Sequence, residues 1–451
     1  MADPRRSSSS PLVGSLREVA GGELRLLLRS PADSGRDPVR ALEDLLAEAA
    51  ERLAAVDLPR ERVVRRSLFF DPAALPAAPS LLASPAASDD RAGPGVRDPW
   101  ADAPPPTAWI AQPPLGGGPV ALELTAFRAR EPSSPPPCRP SASCTVVELG
   151  PLTRCCVAVA RPLSAAPDGT DLYQEGLALL ERADEELRQQ GLGFADVVRA
   201  WFYIPEILAC PGGRQHYQQF NDARAAFYDR VGQSTFLARL LPADWPGLSD
   251  PARGRWPAST GIGAASGRLQ IEIEALAVRS AAARVLPIEN PRQVSAYAYP
   301  EGVLRSAGRA RRAPPRFSRG IVEVGEEVVR VQVSGTASIR GAETLHVGDP
   351  VAQTEATLDT IARLIDATNL AAQGVPVGLR LADLATLRVY LKRPADLPAV
   401  QEVVQRRCPG VPGLFLRADV CREELLVEIE GFGALPLSRS PAAVGAVPDL
   451  L

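Results

Sequence analysis

The segment Leu425-Leu426-Val427-Glu428-Ile429-Glu430-Gly431 sets carboxylates inside an apolar run. Read as a strand, it alternates its side chains, so Leu425, Val427 and Ile429 share one face and Leu426, Glu428 and Glu430 the other. A carboxyl with apolar neighbours loses hydration, and its pKa rises. Such a group stays protonated near neutral pH and can give its proton away, as a general acid must. Cys421 lies just upstream, close enough to share a pocket. Alternation alone is equally met by an edge strand whose Glu428 faces water, as most strand glutamates do.

The chain states the pattern twice. Leu269-Gln270-Ile271-Glu272-Ile273-Glu274-Ala275 repeats it, and Ala195-Asp196-Val197-Val198-Arg199-Ala200-Trp201-Phe202-Tyr203-Ile204 matches Ala382-Asp383-Leu384-Ala385-Thr386-Leu387-Arg388-Val389-Tyr390-Leu391. Helical spacing precedes each tyrosine strand: Leu177, Leu179, Leu180, Ala183 and Leu187 in the first half, Leu358, Ile361, Leu364 and Ile365 in the second. A further helix is expected over 217–231 and over 396–407. Each half reads as strands, long helix, strand, helix, strand, a split β-α-β layout with helices on one face of a sheet. The expectation is an α+β fold of two tandem units, 108–287 and 288–435. The copies differ before the Glu-Ile-Glu strand: Thr260-Gly261-Ile262-Gly263 in one, Asp419-Val420-Cys421-Arg422 in the other. One copy is then expected to work and the other to serve as a wall.

Composition narrows the partners. A chain of 451 residues holds two to three domains with real cores, and a net charge of -3 argues against nucleic acid. No apolar run is long enough for a membrane span, and Met1–Ser10 lacks the apolar core of a secretory signal. Seven cysteines, among them Cys138, Cys144, Cys155, Cys156, Cys210 and Cys408, show no framework spacing and fit a reducing cytoplasm. The histidines are His216 and His346 only, and no Cys/His cluster has ligand spacing, so neither a metal nor another cofactor is expected. Residues 1–107 read as an Ala/Pro-rich extension with one amphipathic helix between Asp37 and Leu58, carrying Leu42, Leu45, Leu46, Ala49 and Leu53 on one face. Asp71–Thr107 reads as a flexible linker, Glu301–Pro315 as an Arg/Pro-rich loop, and 436–451 as a tail. Removal of residues 1–100 is expected to leave the working site intact. The oligomeric state is left open.

Several motifs follow one another in the second half: Ile288-Glu289-Asn290-Pro291, Tyr299-Pro300, Pro315-Arg316-Phe317-Ser318-Arg319, Val333-Ser334-Gly335-Thr336-Ala337, His346-Val347-Gly348-Asp349, and Val420-Cys421-Arg422 through Glu428-Ile429-Glu430-Gly431. Their order resembles the chorismatase family, whose members act on chorismate and are built from two units similar to the RidA (YjgF-like) fold. Trp201, Tyr203, Tyr217, Phe220-Asn221, Arg224 and Thr260-Gly261-Ile262-Gly263 resemble the family's first half. The likeness runs from about Val146 to Gly431. The chain departs from the family at Glu301-Gly302-Val303, where a Tyr-Gly-Pro turn is usual, and at Phe202, where the family has Asn.

The resemblance implies roles. The family's catalytic glutamate falls on Glu428, in agreement with the reading of that residue as a raised acid. Gly335 falls where related deaminases bring a backbone N–H to a substrate carboxylate, an approach that glycine permits. Arg319 is a candidate carboxylate clamp, since a guanidinium fork matches that group. Chorismate has two carboxylates, so a second donor is needed, and Arg417, Arg422, Arg388 and Arg224 are the others in play. Each of them alone reads equally as a surface or structural arginine. Tyr299 fits either a hydrogen bond to substrate or aromatic packing. Gly at 335 and Cys at 421 resemble the hydroxybenzoate-forming branches, whereas the hydrolytic branch has alanines there. The implied activity is conversion of chorismate to 3-hydroxybenzoate and pyruvate, with 4-hydroxybenzoate as a candidate second product. The alternatives are hydrolysis to a dihydroxycyclohexadiene carboxylate, a RidA-like enamine or imine deaminase, and a non-catalytic metabolite-binding protein.

Overall fold

The computed structural model describes residues 13–32, 36–76, 96–128, 143–149, 152–160, 171–248, 250, 253–265, 268–278, 283–300, 313–375 and 377–437. Met1–Ser10, Cys138, the middle of the Pro/Ala-rich stretch, the 301–312 departure from the family and the tail beyond 437 lie outside them.

Among the described residues, three large sheets, rather than two, carry the fold, beside one two-stranded hairpin. The first is built from β1 (Val13–Val19), β2 (Glu23–Arg29), β3 (Val63–Phe70), β4 (Thr107–Ile110) and β5 (Val120–Phe127), with α1 (Pro38–Ala54) between β2 and β3. The second has β6 (Cys144–Leu149), β7 (Leu152–Ala160), β8 (Val197–Pro205), β9 (Ala258–Ala264) and β10 (Gln270–Val278), with α2 (Leu172–Gln189) and α3 (His216–Val231). The third has β11 (Arg284–Ile288), β12 (Gly320–Val324), β13 (Val328–Ala337), β16 (Leu384–Leu391), β17 (Gly413–Arg417) and β18 (Val427–Pro436). A hairpin of β14 (Ile339–Arg340) and β15 (Glu343–Thr344) precedes its helices α4 (Pro350–Ile365), α5 (Ala367–Ala371) and α6 (Leu397–Arg407).

The strand orders are β1-β2-β5-β3-β4, β6-β7-β10-β8-β9 and β11-β12-β13-β18-β16-β17. Setting β11 aside, the order is the same in all three, with the fourth strand in chain order (β4, β9, β17) pairing parallel to the third. The expected α+β class, with mixed sheets and helices on one face, is what the chain adopts. The N-terminal reading needs correction. Residues 13–127 form a folded unit, β4 and β5 close its sheet rather than opening the next, and β11 begins the third unit at Arg284. Leu24, Leu26 and Leu28 alternate toward α1 and pair with Ala126, Leu124 and Leu122 of β5, but the Pro/Ala-rich insert separates these strands in sequence.

Local signals account for the helices. Asp37 caps α1 by accepting from the Val39 and Arg40 N–H groups, with Pro38 at the first turn; Asp349 and Pro350 do the same for α4. In α1, Leu42, Leu45, Leu46 and Leu53 are 0–1% exposed, each worth about 2 kcal/mol of burial. Leu45→Ala would cost about 3 kcal/mol. The helix-facing sides of the sheets form three separate apolar cores, with Leu122 and Leu124, Ile271 and Ile273, and Val427 and Ile429 in them.

The opposite faces meet one another and are charged. Arg388 pairs with Glu123 at 2.6 Å, Arg199 with Glu430 at 2.7 Å, Arg330 with Glu23 at 3.1 Å, and Arg154 with Glu23, Glu274 and Glu323. Each of these arginines reaches a different unit from its own. Buried pairs of this kind add little net stability, but a missing partner is costly, so they select how the units fit together.

Candidate active site

The three closing strands β5, β10 and β18 carry a glutamate at one equivalent register. An arginine lies opposite the residue two places on: Arg65 opposite Thr125, Arg199 opposite Glu274, Arg388 opposite Glu430. Glu123, Glu272 and Glu428 are therefore repeat counterparts. All three point away from the helices, because Leu122, Ile271 and Val427 take the helix side. The expected alternation needs one adjustment. β18 begins at Val427, so Leu426 joins the helix-side core and Leu425 the inter-unit core, the reverse of a strand running through 425.

Glu428 opens into a cleft of about 1240 Å³ between the second and third units. It has no hydrogen bond or ion pair among the described residues. Burial, then the Glu430 carboxylate, pushes its pKa up to about 8, against the pull of Arg199 and Arg319. Around it lie Gly335 from β13, Ser259 and Gly261 from β9, Tyr217 and Arg224 from α3, and Cys421 from the turn before β18. Burial also pushes the Cys421 thiol up to about 12, so it is a neutral thiol near pH 7 and not a base.

The role of Gly335 differs from the expectation. Its N–H is donated to Thr260 Oγ1 at 2.9 Å rather than left for a ligand. A β-carbon there would lie 3.0 Å from Glu428 Cδ and 3.0 Å from Thr260 Cγ2, and would collide with the carboxyl oxygen itself. Glycine is needed so that the acid can lie flat against the strand.

Arg319 and Arg224 line the cleft, 4% and 2% exposed, and neither has an ion-pair carboxylate among the described residues. Arg319 donates to Tyr299 OH at 2.6 Å and to the Val294 carbonyl at 2.9 Å, while its Nε has no partner. Arg224 donates to Asn221 Oδ1 at 2.7 Å and Ser259 Oγ at 3.3 Å, and its Nε is likewise unmatched. Buried guanidinium groups left this way cost free energy unless an anion joins them. Tyr299 thus anchors Arg319 and also lines the cleft.

Two expected clamps are elsewhere. Arg388 is locked to Glu123 and Glu430 in the inter-unit charge layer, and Arg417 is exposed with its backbone N–H on the Pro113 carbonyl. Both sit on the strand pair β16–β17, whose inner side meets the N-terminal unit. Arg422 does line the cleft, donating to the Ala342 carbonyl and Thr344 Oγ1. Sequence reasoning gave no role to Ser259 or Glu289. Glu289 is half-buried beside Arg319, accepting its backbone N–H at 3.4 Å, and loss of hydration around the carboxyl raises its pKa to about 7. The Ile-Glu-Asn-Pro motif pointed at it without a mechanism.

The remaining chemistry is sparse. No group of His, Cys, Asp and Glu that could hold a metal ion occurs among the described residues, and no helix there is long and apolar enough to cross a membrane.

No family model matches the chain. A 3-hydroxybenzoate synthase of Streptomyces hygroscopicus is 37% identical over 241 residues, 53% of this chain and 64% of that protein. A chorismatase of the same organism is 35% identical over 247 residues, 54% of this chain and 63% of that protein. The chain thus spans a little under two thirds of the length of these relatives. A chorismatase crystal structure superposes with a TM-score of 0.60, covering 94% of this chain and 100% of that one at 23% identity. The chain is similar to chorismatases in sequence over about half its length and in fold over nearly all of it.

Proposed function

We propose that this chain converts chorismate to 3-hydroxybenzoate and pyruvate, with Glu428 as the proton donor. The observation that carries the reading is a buried carboxyl, without a hydrogen-bond donor among the described residues, in a cleft that also holds two buried arginines lacking carboxylate partners. Chorismate presents two carboxylates and an enol ether, which needs a proton on its terminal carbon. Arg319, with Tyr299 behind it, and Arg224, with Ser259 beside it, take the carboxylates.

Glu428 gives its proton to the enolpyruvyl methylene carbon. The ring C3–O bond then breaks with its electron pair going to the departing pyruvate. The C4 oxygen attacks C3, and its proton passes to the Glu428 carboxylate. The epoxide-like product opens at C4, and loss of the C3 hydrogen as a proton leaves an aromatic ring with the oxygen on C3. Opening at C3 instead would give 4-hydroxybenzoate. No water is consumed, and substrate atoms equal product atoms. Positioning and proton placement are the enzyme's contribution. The neutral Cys421 thiol stands beside the acid, where it can donate a hydrogen bond to the C4 oxygen and keep water from that face.

A cytoplasmic setting belongs to the same proposal and rests on the free cysteines Cys144, Cys210, Cys408 and Cys421. The test is incubation with chorismate and chromatography of the products. Pyruvate with 3-hydroxybenzoate is expected. Pyruvate with only the dihydroxycyclohexadiene carboxylate would move the chain to the hydrolytic branch, and release of no pyruvate would end the reading.

A further inference from the structure

Glu430 follows Glu428 by two residues and shares its face of β18, about 6–7 Å away along the strand. It is fully engaged. Arg199 donates to it at 2.7 Å, Arg388 lies at 3.3 Å, and the Trp201 indole donates at 2.9 Å. Thr260 completes the set by giving its hydroxyl proton to Glu430 Oε2. The same hydroxyl oxygen accepts from Arg199 at 2.6 Å and from the Gly335 N–H at 2.9 Å. Gly335 is the residue against which the Glu428 carboxyl lies. An unbroken path of hydrogen bonds thus runs from Glu430 through Thr260 to the backbone that seats the acid.

We propose that Glu430 is a positioning residue for Glu428: it holds a fixed negative charge beside the acid and, through Thr260, holds the Gly335 backbone against it. This rests on the reading of Glu428 as proton donor. The charge acts in the direction that keeps Glu428 protonated, and Glu430 ranks next after burial among the influences on that carboxyl. Other groups face Glu428 too. Cys421 lies on the turn before β18, Arg319 on the segment before β12, Tyr217 and Arg224 on α3, Arg199 on β8, and Tyr390 across the ladder on β16. Arg422, Glu343, Glu423 and Glu424 line the cleft mouth. The nearby arginines stabilise the carboxylate form, so the Glu430 charge offsets a local excess of positive charge. The repeat counterpart Glu274 has no such task, since its neighbour Glu272 is already bonded to Ser67 and Tyr203.

The test is the pH profile of pyruvate release from chorismate by the full chain. Glu430→Gln should move the alkaline limb down by about one unit, so that release at pH 9 falls about tenfold while release at pH 6 stays within about twofold. A purely structural role would lower release evenly at all pH values, and an unmoved limb overturns the charge assignment. Glu430→Asp should restore the limb. Thr260→Val leaves both charges in place and cuts the arm to Gly335. Turnover should then fall about tenfold at every pH with the limb unmoved, and Thr260→Ser should recover it. Wild-type turnover in Thr260→Val overturns the coupling even where Glu430→Gln cannot be obtained folded. Infrared titration of the Glu428 carboxyl, identified by its loss in Glu428→Gln, needs no turnover. If chorismate proves inert while Glu430→Gln still lowers that titration, the proposed function fails and the positioning role stands.

Discussion

Glu428 and Glu272 occupy the same place in two copies of one unit, and their surroundings have opposite consequences. Glu272 accepts from Ser67 Oγ of the first unit at 2.7 Å and from Tyr203 OH of its own unit at 2.6 Å, so both its oxygens are used. Glu123, the third counterpart, is caged by Arg25, Arg65 and Arg388, and its pKa is lowered to about 2. Glu428 meets a glycine instead, Gly335, and opens into a cleft. A buried carboxylate that is given donors becomes structure. One denied them becomes an acid. The lesson is that the partners supplied by the neighbouring unit decide the role, while the strand motif is common to all.

The largest effect expected is loss of the protein itself. Deleting residues 1–100 removes β1–β3 and α1, strips Ser67 from Glu272, and leaves Glu123 without Arg25 and Arg65. The remainder should fail to give soluble, cooperatively melting protein, measured by yield and circular dichroism. A soluble fragment from residue 101 onward that still releases pyruvate would break the view that the first unit completes the others.

Next in size is Glu428→Gln, which should lower pyruvate release by about 10²-fold or more with the fold retained. In the wild type the proton donor is the protonated form, so release should fall as pH rises through about 8. The same shift has a stability consequence. The folded-state pKa is raised above its unfolded value, so the associated stability is complete below about 4.5 and is lost as pH rises toward about 8. Glu428→Gln should therefore melt higher than wild type at pH 8 and by a smaller margin at pH 4. Near-normal turnover in this variant would remove the acid assignment.

The arginines come third. Arg224→Met and Arg319→Met should each raise KM for chorismate about tenfold or more, with a smaller change in kcat. Because each guanidinium is buried without a carboxylate, the variants should be no less stable than wild type by thermal melting. A drop in stability with KM unchanged would mean that these residues serve the fold.

The smallest effect on turnover is expected at Glu272→Gln. Loss of charge-assisted hydrogen bonds to Ser67 and Tyr203 should cost about 1–3 kcal/mol of stability while pyruvate release stays within a few-fold. A loss of turnover equal to that of Glu428→Gln, in a folded protein, would erase the contrast between the two sites.

The sequence by itself determined the periodic elements and singled out Glu428 as a carboxyl within an apolar strand. Helices α3 and α6 begin within one residue of where the sequence placed them and α1 ends four residues early, and the Glu-Ile-Glu repeat marked the closing strands of two units. The third occurrence, Leu122-Glu123-Leu124, and the alternating Leu24-Arg25-Leu26 were equally present, but Pro/Ala-rich stretches on either side concealed that they belong to one sheet. Which arginines face the cleft was decided only by the tertiary structure. Arg388 and Arg199 hold equivalent registers and both serve the charge layer, whereas Arg319 and Arg224 come from a loop end and a helix that meet across two units. A strand motif reports the face a side chain takes, because alternation is local. It carries no record of what the neighbouring unit brings to that face, and here those neighbours separate the ion-paired Glu123 from the unpaired carboxyl of Glu428.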